Sequence, residues 1–325
     1  MRPKIGIPRA LFYYYYYPLW RSFLEALETE VVVSPETNKA IINQGTKNAV
    51  DEACLPVKVF YGHIMALREQ VDCLFVPRIV SVESKAYICP KVMGLPDMIR
   101  ANICDLPPLI DVTVDLSHKQ DCLQVVNKIG RFLGKNPRKI KQAWGYASEH
   151  YRQYLGLLRT GFLPSEALLS LEAGAPSLEP ASRIQGFTVV LLGHSYDIYD
   201  NYISMNLIGK LRRLGAHVLT ADLLAPDIIE KEVAQLPKRL FWTLGRRIIG
   251  AALYFLKSPE ISGIIHLASF GCGPDSLVGD LVERFCRRQG KPPFLYLTVD
   301  EHTGEAGLQT RVEAFLDMLA WRGAV

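Results

Sequence analysis

Three of the seven cysteines share one kind of setting: Cys54 in "DEACLPVK", Cys89 in "YICPK" and Cys272 in "GCGPDS", each with a proline one or two residues later. Gly271, Gly273 and Pro274 suit neither a strand nor a helix interior, so Cys272 is expected in an opened loop with an accessible thiol. Proline in the first turn of a helix has no N–H to waste, and Pro56 and Pro274 therefore read as helix starts. Cys54 and Cys272 would then sit at helix N-termini, where the partial positive charge favours a thiolate. Three thiolates on three loops at the carboxyl side of strands are the makings of a metal's ligand shell. A structural zinc site wants a fourth Cys or His and usually paired Cys-x-x-Cys motifs, which this sequence lacks. A cubane iron–sulfur cluster held by three cysteines keeps one iron open to a small ligand, whereas an electron-transfer cluster has four. The residues alone leave these readings open beside that of three unconnected reduced thiols.

The other cysteines read differently. Cys73 lies in the strand pattern "VDCLFVP", while Cys122 and Cys286 lie in helical patterns, so all three are expected as small buried hydrophobes. Cys104, in "NICDLPP", is either a fourth ligand or the end of a helix before two prolines. Among polar residues, His194 in "GHSYD" follows a strand, in a position for proton donation, for a hydrogen bond to a ligand, or for holding a turn. The stretch "DEHTGEAG" sets Glu301 and His302 after the last strand; helix capping accounts for Thr303 and Glu305 but not for His302. His194, His302 and Glu301 are thus the candidate catalytic side chains. Lys58, Lys91 and Arg78 flank the cysteine loops, either offsetting thiolate charge or simply exposed, and His217 and His266 fall in strand patterns that make them structural.

These residues need a scaffold, and the chain contains two similar passages that could supply it. "KIGIPRALFYYYYYPLWRSFLEALETEVVVSPE" and "FTVVLLGHSYDIYDNYISMNLIGKLRRLGAHVLTADLL" each read strand, turn, amphipathic helix, strand. Unit after unit of this kind implies a parallel sheet with helices on both faces. Strands are expected at residues 4–8, 30–33, 71–76 and 109–114, and again at 187–192, 217–220, 263–267 and 294–299. Between the two sets runs a helical and then Pro/Ser-rich segment containing "APSLEPAS". The expected architecture is α/β: two doubly wound parallel-sheet lobes, Rossmann- or flavodoxin-like, spanning 1–116 and 184–325, with a helical bridge and linker at 117–183 and a cleft between the lobes. Ligands of such sheets bind beyond the carboxyl ends of the strands. The run Tyr13 to Tyr17 falls at the first strand-to-helix turn and reads as amphipathic packing with hydroxyls at the surface.

Composition excludes other classes. The longest apolar runs, such as "IIGAALYFL", are less than half of the ~20 residues a membrane helix needs, so no membrane span is expected. "MRPKIGIPRA" starts directly in a strand pattern without an apolar signal region, so a cytoplasmic protein is expected. An odd cysteine number in a chain this large argues against a disulfide framework. The net charge of +4 is small, and the basic stretches "RFLGKNPRKIKQ" and "PKRLFWTLGRR" interleave with apolar residues as helix faces do, so nucleic acid is not expected as a partner.

The order of "KIGIPRAL", "DEACLPVKVFYGH", "VPRIVSVE", "YICPK", "GLPDMIR", "YDIYDNYISMNLI", "FGCGPDS" and "DEHTGEAGLQTRVEAFLDML" resembles acyl-CoA dehydratase activase-related proteins over nearly the whole chain. It is similar, more distantly, to the cluster-bearing subunits of 2-hydroxyacyl-CoA dehydratases and benzoyl-CoA reductases. What the resemblance implies is a 4Fe–4S cluster or a larger relative, held by Cys54, Cys89 and Cys272. It implies a component that receives low-potential electrons from a separate ATP-dependent activase and reduces or activates a small-molecule substrate; the alternative is a non-catalytic scaffold that holds a cluster or ligand for a partner enzyme. The sequence shows no Walker A loop and no dinucleotide glycine fingerprint, so no bound nucleotide is expected and the ATP step falls to the partner chain. Related cluster subunits work in pairs, and the aromatic stretches "YYYYYPLW" and "FWTLGRR" could serve a two-fold contact, so a homodimer is expected.

Overall fold

The computed structural model describes residues 2–117, 122–173, 186–290 and 292–323. The chain forms two compact units, one of Met1–Leu155 with Phe241–Thr243, the other of Gly156–Leu240 with Leu244–Val325. The "APSLEPAS" linker lies outside the described residues.

Unit 1 holds β1 (Lys4–Ile7), α1 (Tyr13–Ala26), β2 (Glu30–Val33), α2 (Lys39–Asn48), α3 (Leu55–Leu67), β3 (Cys73–Phe75), β4 (Arg78–Ser81), α4 (Pro90–Met93), α5 (Leu95–Asn102), β5 (Leu109–Ile110), β6 (Thr113–Asp115) and α6 (Cys122–Phe132), followed by α7 (Pro137–Arg159). Its main sheet is parallel with strand order β2-β1-β3-β5. The β-branched run "EVVV" of β2 pairs residue for residue with β1, from Lys4 opposite Glu30 to Ile7 opposite Val33. Phe23, Leu24 and Leu27 of the first helical passage, and Ile64, Leu67 and Leu74, are all at most 1% exposed. Tyr15 and Tyr17 are buried while Tyr13, Tyr14 and Tyr16 are half-buried, as an amphipathic helix start requires.

The expected strand over 109–114 is two strands. β5 joins β3 in the main sheet, and β6 pairs with β4 in a separate two-stranded sheet. β4 itself, "RIVS", is too short and too close to Pro77 to stand out in the sequence.

Unit 2 holds α8 (Pro164–Glu172), β7 (Thr188–Gly193), α9 (Ser195–Ile198), α10 (Leu207–Arg213), β8 (His217–Thr220), α11 (Pro226–Val233), α12 (Thr243–Phe255), β9 (Gly263–Ser269), α13 (Gly273–Gln289), β10 (Phe294–Val299) and α14 (Glu305–Gly323). Its sheet is also parallel, in the order β10-β9-β7-β8. Read by chain order, both sheets place the second strand, the first, the third and the fourth side by side. Every residue of β9 is buried, which is why "GIIHLAS" is an almost continuous apolar run rather than an alternating one. Val190, Leu192 and Ile264 of the sheet pack with Phe255 of α12 and with Val278, Val282 and Cys286 of α13. Among the described residues, no helix is long and apolar enough to cross a membrane.

Candidate functional site

In unit 2 the chain runs from β7 to β8 on one side and then returns through β9 on the other. The crevice between the carboxyl ends of β7 and β9 is therefore the topological switch point, where open α/β sheets bind their ligands. β7 ends in Gly193, whose φ is +143° and whose absent Cβ would meet Leu267 O at 2.4 Å. Only glycine allows the two strands to approach there, and it delivers the next residue, His194, to the strand end. β9 ends in Ser269, and the loop turns through Gly271, at φ +78°, into the N-cap of α13, which is Cys272. Pro274 lies in the first turn of that helix, as its sequence position implied, followed by Asp275.

These two strand ends bring His194, Cys272 and Asp275 together. One ligand atom from each lies within 4.8 Å of the other two, and all three residues are buried. Two atoms in this group have no hydrogen-bond partner, Nδ1 of His194 and Oδ2 of Asp275. Oδ1 of Asp275 is bonded at 2.9 Å to Nε2 of His266, a β9 side chain with no exposed surface. Beside it, Ser269 donates its hydroxyl to Oδ1 of Asp197 at 2.7 Å, and Oδ2 of Asp197 is also without a partner. Buried polar atoms left unpaired cost free energy, so their concentration here is unlike the rest of a packed sheet end.

The protonation states follow from burial and neighbours. Burial holds the His194 imidazole below its ordinary value, with Asp275 opposing. Burial by itself would raise Asp275, but the His194 and His266 imidazoles, the His266 hydrogen bond and the Ser269 N–H outweigh it and keep the carboxyl below the usual range. Asp197 is pushed well above it by burial, and the Asp275 charge adds to the effect. The crevice thus favours the neutral form of the His194 imidazole and the charged form of Asp275, with the protonated form of Asp197 favoured next to them.

The other expected site residues are distributed as follows. Cys54 caps α3 and Cys89 caps α4, each with proline in the first turn and neither with a side-chain capping bond. Both belong to unit 1, where Lys91 donates to the backbone oxygen of Glu52 at 2.8 Å and so ties the Cys89 helix to the Cys54 loop. Arg78 makes a two-bond ion pair with Asp97, at 2.8 Å to each oxygen. Cys104 is exposed, in a bend just beyond α5. His302 is exposed after β10, where its N–H donates to Asp300, and Glu301 is half-buried beside it. Neither is part of the His194 group. Cys272 is only 8% exposed, not the accessible thiol expected from its glycines, because the turn folds it under the strand ends beside His194. Asp275 and the role of His266 escape the sequence: an aspartate after Gly-Pro reads as an ordinary first-turn acid, and a histidine in an apolar strand reads as core.

The donor set can be tested against the cluster that the resemblance implies. A three-cysteine cubane takes thiolates, but the groups that surround Cys272 are an imidazole and a carboxylate. The other cysteine of unit 2, Cys286, lies fourteen residues further along the same helix, about 21 Å away at 1.5 Å per residue. Unit 2 by itself therefore does not fit an all-thiolate cluster.

No curated protein matches the sequence. A solved structure described as the crystal structure of a sugar transporter from Clostridium phytofermentans is similar at 10% identity over 94% of this chain and 83% of that one, with a TM-score of 0.20. A family model described as the CoA enzyme activase uncharacterised domain (DUF2229) matches residues 4–224. That match overturns the expectation that the chain is the cluster-bearing component of a dehydratase or reductase fed by an activase, because the description puts it in the activase role. It covers more than half of the 325 residues, and the chain belongs to the CoA enzyme activase uncharacterised domain family.

Proposed function

We propose that this chain works on the activating side of a CoA-enzyme system, and that its working centre is the group formed by Cys272, His194 and Asp275 in unit 2. The family supplies the context of CoA-enzyme activation. The observation that carries the choice of site is the burial of a thiol, an imidazole and a carboxylate within 4.8 Å of one another at the switch point of a parallel sheet. A crevice of this kind holds a small ligand or ion rather than a macromolecule, since every group in it is shielded from solvent. The ATP-hydrolysing step is assigned to a separate chain, consistent with the lack of a Walker A loop here.

The test is the rate at which a CoA enzyme that requires activation gains activity when supplied with ATP, a reductant, its ATP-dependent partner and this chain. Cys272→Ala is expected to slow activation at least tenfold, and Cys286→Ala, which removes a buried thiol from the same helix, to leave it unchanged. Equal activation by wild type and a folded Cys272→Ala protein would overturn the assignment.

A further inference from the structure

We infer that His194, Cys272 and Asp275 bind a single divalent transition-metal ion of the zinc class through one nitrogen, one sulfur and one oxygen, leaving the remaining coordination position open to a ligand. The inference rests on the reading of this crevice as the working centre and gives it a chemistry.

Four observations carry it. First, the donor types are those a borderline divalent ion selects: imidazole, thiolate and carboxylate all ligate Zn²⁺, and three protein ligands with a free fourth position is the pattern of reactive rather than structural sites. Second, the spacing fits. A tetrahedral ion with metal–ligand bonds of about 2.0–2.3 Å holds its ligand atoms roughly 3.4–3.6 Å apart, and the three atoms here already lie within 4.8 Å of one another. Small side-chain rotations close the difference.

Third, two of these side chains carry an unpaired atom of a kind that ligates metals. Nδ1 of His194 and Oδ2 of Asp275 have no partner, although His194 is 3% exposed and Asp275 is fully buried. Any two buried polar groups of this kind would normally find hydrogen bonds within the protein. Fourth, a supporting shell is in place. Oδ1 of Asp275 is held by His266, which fixes the carboxylate with its other oxygen unpaired, as outer partners of metal-binding carboxylates do. His194 is stacked on Tyr196, with ring centroids 4.9 Å apart, which limits the rotation of its imidazole. Cys272 is held at a helix N-terminus whose backbone dipole favours an anionic sulfur.

The ligand set is distinct from the three cysteines that the resemblance implies: it shares Cys272 but takes its other donors from unit 2 itself. The test uses the full chain, stripped with chelator and titrated with Co²⁺ and then Zn²⁺, with no partner protein present. The expected result is one ion per chain and a visible Co²⁺ spectrum with tetrahedral ligand-field bands and a thiolate charge-transfer band near the ultraviolet. Cys272→Ser should remove the charge-transfer band, and His194→Gln and Asp275→Asn should each weaken binding at least tenfold. Cys54→Ser and Cys89→Ser should leave stoichiometry and spectrum unchanged.

A wild-type Co²⁺ spectrum without thiolate character overturns the inference, and this readout needs no variant to fold. Loss of the ion in Cys54→Ser and Cys89→Ser as fully as in Cys272→Ser also overturns it, because the thiols alone would then hold the metal. If binding fails while Cys272→Ala still abolishes CoA-enzyme activation, the metal is wrong and the working centre stands. If one ion binds as described while activation survives Cys272→Ala, the metal site stands and the functional assignment falls.

Discussion

The two sheets share one topology but place opposite chemistry at their switch points. In unit 1 the crevice between β1 and β3 is lined by apolar and aromatic side chains, Leu11, Tyr17, Trp20, Phe75 and Val92 among them, and Trp20 and Phe75 pack with ring centroids 5.0 Å apart. In unit 2 the corresponding crevice, between β7 and β9, holds His194, Cys272, Asp275, His266 and Asp197, with several polar atoms unpaired. The lesson is that strand order fixes where a site can form, whereas the two or three residues after each strand decide what it does. "PRALF" after β1 gives an apolar, aromatic end, and "GHSYD" with "GCGPDS" gives a polar one.

The comparison makes the two crevices fail differently under substitution. Phe75→Ala in unit 1 removes a ring that is 4% exposed, and should cost about 3–5 kcal/mol of unfolding free energy in urea, with no dependence on added metal. A loss under 1 kcal/mol would mean that the aromatic end is not packed as described. Asp275→Ala in unit 2 strands His266 without its partner and should cost about 2–3 kcal/mol. Here the wild type should in addition gain stability on Zn²⁺ addition while the variant does not. Equal responses of the two proteins to Zn²⁺ would erase the distinction between the crevices.

A buried histidine of unit 1 responds to pH rather than to metal. His63 is fully buried, bonded to Thr37 at 3.0 Å, and held down to about 3 by burial with the Arg9 charge adding to it. Because the folded value lies below the ordinary 6.5, the unfolded chain takes up the proton first as pH falls. The stabilisation is complete above about pH 6.5 and is lost at about 1.4 kcal/mol per pH unit on the way down towards pH 3. Urea unfolding at pH 7, 6, 5 and 4.5 should show this slope in the wild type and a shallower one in His63→Gln; parallel slopes would contradict it. The smallest effect concerns the Cys54 and Cys89 loops. Lys91→Met removes the bond to Glu52 and should cost about 0.5–1 kcal/mol, without changing the metal content of unit 2. An altered metal content in that variant would tie the two crevices together.

Much of the scaffold was readable from residue patterns, and the reasons are local. The β-branched or aromatic runs "EVVV", "HVLT" and "FLYLTV" form strands at the residues expected, 30–33, 217–220 and 294–299. The run over 109–114 broke into two strands of different sheets, because pairing partners distant in sequence decide where a strand stops. For the site, His194 and Cys272 were found from their positions after strands, since a residue type out of keeping with its turn is visible locally. Asp275 and His266 were not, because each is ordinary in its own element and becomes unusual only when β9 and α13 bring them within 2.9 Å. Glu301 and His302 had the converse fate: unusual in sequence, they occupy a turn outside the group.

The central claim is that the working chemistry of this chain is a mixed nitrogen, oxygen and sulfur centre in unit 2. X-ray absorption at the zinc edge of the Zn²⁺-loaded full chain measures that centre directly. The account predicts one sulfur neighbour at about 2.3 Å with nitrogen and oxygen neighbours at about 2.0–2.2 Å, and disappearance of the sulfur shell in Cys272→Ser. A shell of three sulfur neighbours, or a sulfur shell that survives in Cys272→Ser, would contradict it.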